Sequence, residues 1–139
     1  MEAAILPLAI ERCTEAHLAR LRRHIRAEHA AQRREDRFTW IRLTGEFHIA
    51  LARIAGNPIL TRFLSELVAR GSLIVALYDP VERVCCANGE HALLVDLIAK
   101  RDPARALKKM DQHLLAIEAG LQLEDRHDDI DLARILARS

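Results

Sequence analysis

The chain has little of what builds secreted, membrane-embedded or extended proteins. Only 5 Gly and 4 Pro occur in 139 residues, too few for a loop-rich or low-complexity chain. Its three cysteines, Cys13, Cys85 and Cys86, are odd in number and two are adjacent, a poor disulfide framework that fits a reducing compartment. The longest purely apolar run, Leu73 to Leu77, is far too short to span a bilayer, and Met1 opens no basic-then-apolar signal pattern. A cytoplasmic protein without membrane contact is expected. Neither sign of charge dominates: 21 Lys plus Arg face 20 Asp plus Glu, and a net +1 supplies no global field for a phosphate backbone. Strand signals are scarce too, because alternation at period two never persists and β-branched residues are sparse.

What remains is 50% hydrophobic and 29% charged, the composition of one ordinary domain with a substantial core. Helical punctuation runs through it, and an all-α fold follows. A short first helix is expected from Glu2 to Glu11, then a second with Thr14 as N-cap and Leu18, Leu21 and Ile25 as its buried stripe. Between Arg12 and Arg37 eight Arg outnumber four acids, but no aromatic is interleaved before Phe38, so this reads as a solvated face and not a nucleic-acid patch. A third helix should start near Asp36, bury Trp40, Leu43, Phe47, Leu51 and Ile54, and end at Gly56-Asn57-Pro58, where Pro58 opens a fourth. That fourth helix runs through Gly71, a possible kink, to Tyr78 before Asp79-Pro80. A fifth holds His91, Leu94 and Ile98. Asp102-Pro103 starts a sixth with the stripe Leu107, Met110, Leu114, Ile117 and Leu121, and a short last helix reaches Arg138 after the acidic stretch from Glu124 to Asp131.

Three of the 7 histidines sit where an apolar stripe passes: His48 follows Phe47, His91 shares a face with Leu94 and Ile98, and His113 lies between Met110 and Ile117. One such histidine is ordinarily a hydrogen-bonded core residue. Three on separate inward faces can converge inside a bundle, and neutral imidazoles with an open fourth position suit zinc, nickel and related divalent ions. His17, His24 and His29 lie in the Arg-rich helix and His127 among acids, so all four read as surface or partly buried residues without chemistry. Cys86 lies about 140° around a helix from His91 and is expected to stay out of the site. Cys85 and Cys86 read as small packing residues.

The order of residues then resembles a known family. Glu2, Leu8-Ala9, Arg12, Thr14-Glu15, Leu18, Phe47-His48, Ala55-Gly56-Asn57, Glu90-His91, Asp102, Ala106 and Met110-x-x-His113 resemble the C-terminal effector-binding domain, called FCD, of GntR-family, FadR-subgroup transcription regulators. The likeness covers Glu2 to about Leu123. It implies an antiparallel bundle of six to seven helices over residues 1–127, with 128–139 as a short terminal helix or tail. It further implies a homodimer that binds a small organic acid effector, often through a metal held by three histidines and an aspartate, and that signals to an N-terminal winged helix-turn-helix on DNA. Here His48, His91 and His113 are the implied metal ligands. The family aspartate, four residues before the first histidine, is replaced by Thr44, a neutral hydroxyl that removes a negative charge from the site. Glu46 points about 160° away from His48 and is a poor substitute. Thr44 and Arg70 are the candidate effector contacts, Arg70 because a guanidinium fork pairs with a carboxylate. Asn57 reads as structural, supporting the corner before Pro58.

The chain starts where the family's effector domain starts, so the winged helix-turn-helix is expected to be absent and DNA binding to belong to a longer parent. Two alternatives stand beside the sensing domain. One is a metal-independent dimerisation module with a degenerate pocket, favoured by Thr44. The other is a metal-dependent hydrolase, disfavoured because no acid lies beside the histidines as a general base: Glu90 points about 100° away from His91.

Overall fold

The computed structural model describes residues 1–78 and 89–121. Among the described residues there are six helices and no strand: α1 Glu2–Arg12, α2 Glu15–Arg33, α3 Arg37–Ala55, α4 Pro58–Tyr78, α5 Glu90–Ala99 and α6 Pro103–Gly120. The Asp79-Pro80 stop, Cys85, Cys86, the acidic stretch, His127 and the last short helix lie outside them, as does the expected boundary at residue 127.

Each start and stop has a local cause. Thr14 accepts a hydrogen bond from the His17 amide, and His17 Nδ1 returns one to the Thr14 amide, so His17 serves as half of a capping box. Asp36 and Asp102 cap α3 and α6 by accepting from the amides of Thr39 and Arg105. Gly56 ends α3 at φ 70°, a left-handed conformation that costs glycine nothing. Asn57 then accepts from the amides of Ile59 and Leu60, opening α4 with Pro58 in its first turn. Arg12 closes the corner by donating to the Ala55 carbonyl at 2.6 Å. α4 continues as one helix past Gly71.

α3 is the central element, packed against α1, α2 and α4, while α1 also meets α5 and α6, and α5 meets α2 and α6. The main core combines Leu6, Leu21, Phe47, Leu51, Leu94 and Ile98 with their neighbours, and its apolar burial is what holds the bundle together. Cys13 is a free thiol buried within it. The stripe of α6 departs from expectation in its second half. Ala106 and Met110 are buried, but Leu114 is 39% exposed, and it joins Ile117 and Leu121 on the wall of a cavity.

Candidate functional site

His48 on α3, His91 on α5 and His113 on α6 meet in the interior, all buried, with one ring nitrogen of each within 4.8 Å of the others. Packing fixes the rings. Phe47 stacks on His91 with centroids 4.1 Å apart, and His48 stacks on His113 at 5.4 Å.

Each histidine has a carboxylate at Nδ1, and each carboxylate comes from a different helix. His91 Nδ1 lies 2.9 Å from Glu28 on α2, and His113 Nδ1 lies 2.7 Å from Glu90 on α5. His48 Nδ1 lies 2.5 Å from Glu2 on α1, a close contact at an angle off that of a hydrogen bond. Burial pushes the Glu28 carboxyl up, but hydrogen bonds from His24 and His91 outweigh it and hold it at about 2. For Glu90, burial is outweighed by hydrogen bonds from Lys109 and His113, and for Glu2 by the contact with His48, so both stay below the usual carboxylate value. Burial drives His91 downward against the pull of Glu28, and burial together with His91 drives His113 to about 4. His24 moves the other way, raised by its hydrogen bond to Glu28, while its Nε2 also reaches the Leu43 carbonyl at 2.8 Å.

The tautomers follow. An ionised carboxylate only accepts, so His91 and His113 carry their protons on Nδ1 and expose bare lone pairs at Nε2. Those two Nε2 atoms lie 3.1 Å apart. Two lone pairs that close repel unless a cation sits between them, and burial disfavours a proton on either ring. A tetrahedral zinc with nitrogens at about 2.0–2.1 Å separates its ligands by roughly 3.3–3.4 Å, close to the spacing found. The residues therefore fit a divalent metal ion, and the carboxylate behind each imidazole is the arrangement that orients metal-binding histidines.

Beside the histidines opens a cavity of about 750 Å³. Thr44 lines it, and its hydroxyl is buried without a hydrogen-bond partner. Arg70 does not line it: its side chain is exposed on α4, on a different face from the cavity-lining Val68, Gly71 and Val75. The expectation that no acid stands beside the histidines is corrected. Glu90 does turn away from His91, but toward His113 on the next helix, and Glu28 comes from the Arg-rich helix that was set aside. His24, read as chemically idle, steadies Glu28 at 3.3 Å. A polar residue in helical register with Leu18, Leu21 and Ile25 was the available signal for Glu28.

Comparison with known proteins agrees with this architecture. A model of the FCD domain matches residues 1–116. The HTH-type transcriptional repressors NanR of Salmonella newport and Salmonella typhimurium are each 31% identical over 124 residues, which is 85% of this chain but 46% and 45% of theirs. The chain thus spans less than half the length of these relatives. Among solved structures, E. coli McbR/YncC superposes with a TM-score of 0.76 at 20% identity, covering 85% of this chain and 60% of that one, a likeness of fold. Among the described residues no helix is long and apolar enough to cross a membrane. The chain belongs to the FCD domain family, the effector-sensing domain of GntR-family transcription regulators, a family of regulators and not of enzymes.

Proposed function

We propose that this chain is the sensing and dimerising domain of a cytoplasmic, metabolite-responsive regulator, and that it takes a small organic acid at a divalent metal ion held by His48, His91 and His113. The observation that carries the metal reading is the pair of bare Nε2 lone pairs 3.1 Å apart, each fixed by a carboxylate behind its ring. Zinc or nickel suits an all-imidazole donor set. When bound, the ion supplies a positive anchor for an anionic oxygen. The orphaned Thr44 hydroxyl, four residues before His48, supplies a hydrogen bond to the same ligand.

α4 connects this site to a second copy of the chain. One face of the helix lines the cavity, Ile59 and Phe63 stand exposed on another, and the half-exposed Leu67 and Ile74 lie at the border, lining the cavity's edge as well. Effector binding shifts the population of bundle arrangements, and through α4 the relation of two protomers. In the parent regulator that relation sets the spacing of winged helix-turn-helix domains on DNA.

The test is metal content per chain by elemental mass spectrometry, on protein purified without a metal-affinity tag, beside the triple variant His48→Ala, His91→Ala, His113→Ala. Near-stoichiometric metal that is lost in the variant is the expected result. No metal in either protein after incubation with zinc or nickel refutes the metal reading. It would put a metal-independent dimerisation module in its place, as the loss of the acidic ligand at Thr44 suggests.

A further inference from the structure

The cavity beside the histidines is lopsided. At about 750 Å³ it falls in the size range of small-molecule sites. Its polar groups gather at one end, where Glu2, Thr44, His48, Glu90 and His113 meet. The rest of the described wall is mostly apolar, formed by Trp40, Ile41, Leu64, Val68, Val75 and Ile117 among others, with the Ser72 hydroxyl and the Trp40 indole N–H its polar side-chain groups. No Lys or Arg is among the described residues that line it.

We propose that the effector is an amphiphilic monocarboxylate, its carboxylate at the histidine end and a sizeable apolar tail along the wall between α3, α4 and α6. This deepens the acid-sensing reading above and rests on it. The tail follows from the wall. A polyhydroxylated acid of the same length would bury several hydroxyls where, among the described side chains, Ser72 and the Trp40 indole N–H are what can answer them, and a buried hydroxyl without a partner weakens binding. An apolar tail meets surfaces it matches, and removes the exposed lining side chains of Leu67, Ile74 and Leu114 from water.

The head follows from the charges. Glu2 and Glu90 both face the polar end; among the described residues no Lys or Arg side chain lines the cavity, and Lys109, outside the lining, is paired with Glu90. The histidines by themselves therefore offer an acid no anchor. A divalent ion on the three imidazoles reverses the local sign and gives a carboxylate a cationic anchor at that end. Affinity for the acid is consequently metal-dependent, and affinity among acids is set by the tail.

Two residues make this measurable. Trp40 is the chain's single tryptophan and sits on the apolar wall, so its fluorescence reports a tail arriving there. Gly71 lines the same wall, and a Cβ built on it meets nothing within 4 Å. Gly71→Phe thus fills tail space without forcing the helices apart, and replacing a helix-interior glycine favours the helix. Ile117→Asn polarises the opposite wall as an independent variant.

The experiment incubates the protein with one equivalent of zinc, verifies occupancy by elemental mass spectrometry, and titrates 4-phenylbutyrate, octanoate and gluconate by Trp40 fluorescence and calorimetry. Expected are affinities for phenylbutyrate and octanoate at least tenfold above that for gluconate, and a further tenfold loss of phenylbutyrate affinity in Gly71→Phe and Ile117→Asn at unchanged metal content. Gluconate binding as tightly as the apolar acids overturns the proposal, as does phenylbutyrate affinity that both variants leave intact. Zinc-occupied protein that ignores the apolar acids refutes this inference while the metal site stands. Protein that takes up no zinc refutes the acid-sensing reading itself, and this inference with it.

Discussion

A glutamate in an arginine-rich helix is ordinarily a solvated ion-pair partner, yet Glu28 is buried between His24 and His91 and held at about 2. Its folded value is depressed, so the stability it contributes is present above the unfolded carboxylate value and is lost as pH falls toward 2. His113 acts earlier and in the same direction. Its folded value of about 4 lies below the unfolded 6.5, so between those values the unfolded chain binds the extra proton and acid erodes stability. The full difference corresponds to roughly 3 kcal/mol. Metal-free protein should therefore lose thermal stability steadily from pH 6.5 to 4, and His113→Gln should flatten that slope; an unchanged slope contradicts the assignment. Glu28→Gln, which removes the charge behind His91, should lower zinc affinity about 10–100-fold by competition with a chromophoric chelator. The histidines were legible in the sequence because each lies in register with apolar residues of its own helix. The carboxylates were not, because a helical wheel gives angles within one helix, whereas Glu2, Glu28 and Glu90 each serve a histidine on another.

At the scale of the element, two glycines test how α3 and α4 frame the cavity. A Cβ on Gly45 would lie 2.6 Å from Val68 Cγ1 and 3.0 Å from Ser72 Oγ, so α3 and α4 are in close approach there. Val68 is β-branched and stiff, and cannot swing clear. Gly45→Leu should destabilise the protein by about 1–3 kcal/mol in urea unfolding, the usual penalty of overpacking. Gly71→Ala, one helix away and facing open space, should stabilise it by up to about 1 kcal/mol. Substitutions of equal sign in the same assay would show that close approach is not what Gly45 provides. Helix ends were readable from sequence because Thr14, Asp36, Gly56 and Asp102 act on amides and turns within a few residues. The second half of the α6 stripe misled for a physical reason: Leu114, Ile117 and Leu121 face an apolar cavity, and the pattern that lines a cavity is the same as the one that fills a core.

At the scale of the whole molecule, α4 carries an apolar stripe that the described bundle leaves uncovered. Phe63 is 54% and Leu67 51% exposed, and Ile59 and Ile74 extend the stripe along a helix about 30 Å long. Glu66 and Arg70 lie on the same face, so an antiparallel copy centred near residue 68 sets each Glu66 across from the partner's Arg70, twice over. This pairing gives the exposed Arg70 a place outside the cavity. In the proposed dimer α4 would serve two sides, with the cavity-lining Val68, Gly71 and Val75 as a ligand wall on one, Ile59 and Phe63 as a dimer seam on the other, and Leu67 and Ile74 shared between them. In that proposed dimer, a ligand that repositions the wall would also move the seam. Wild-type protein should sediment as a dimer and Phe63→Glu as a monomer, with zinc content equal in both because the substitution is remote from the histidines. A charge reversal, Arg70→Glu, should weaken the dimer, and the double variant Glu66→Arg, Arg70→Glu should restore it. A Phe63→Glu protein that remains dimeric places the seam on another face, and then filling the cavity would have no direct route through α4 to the partner.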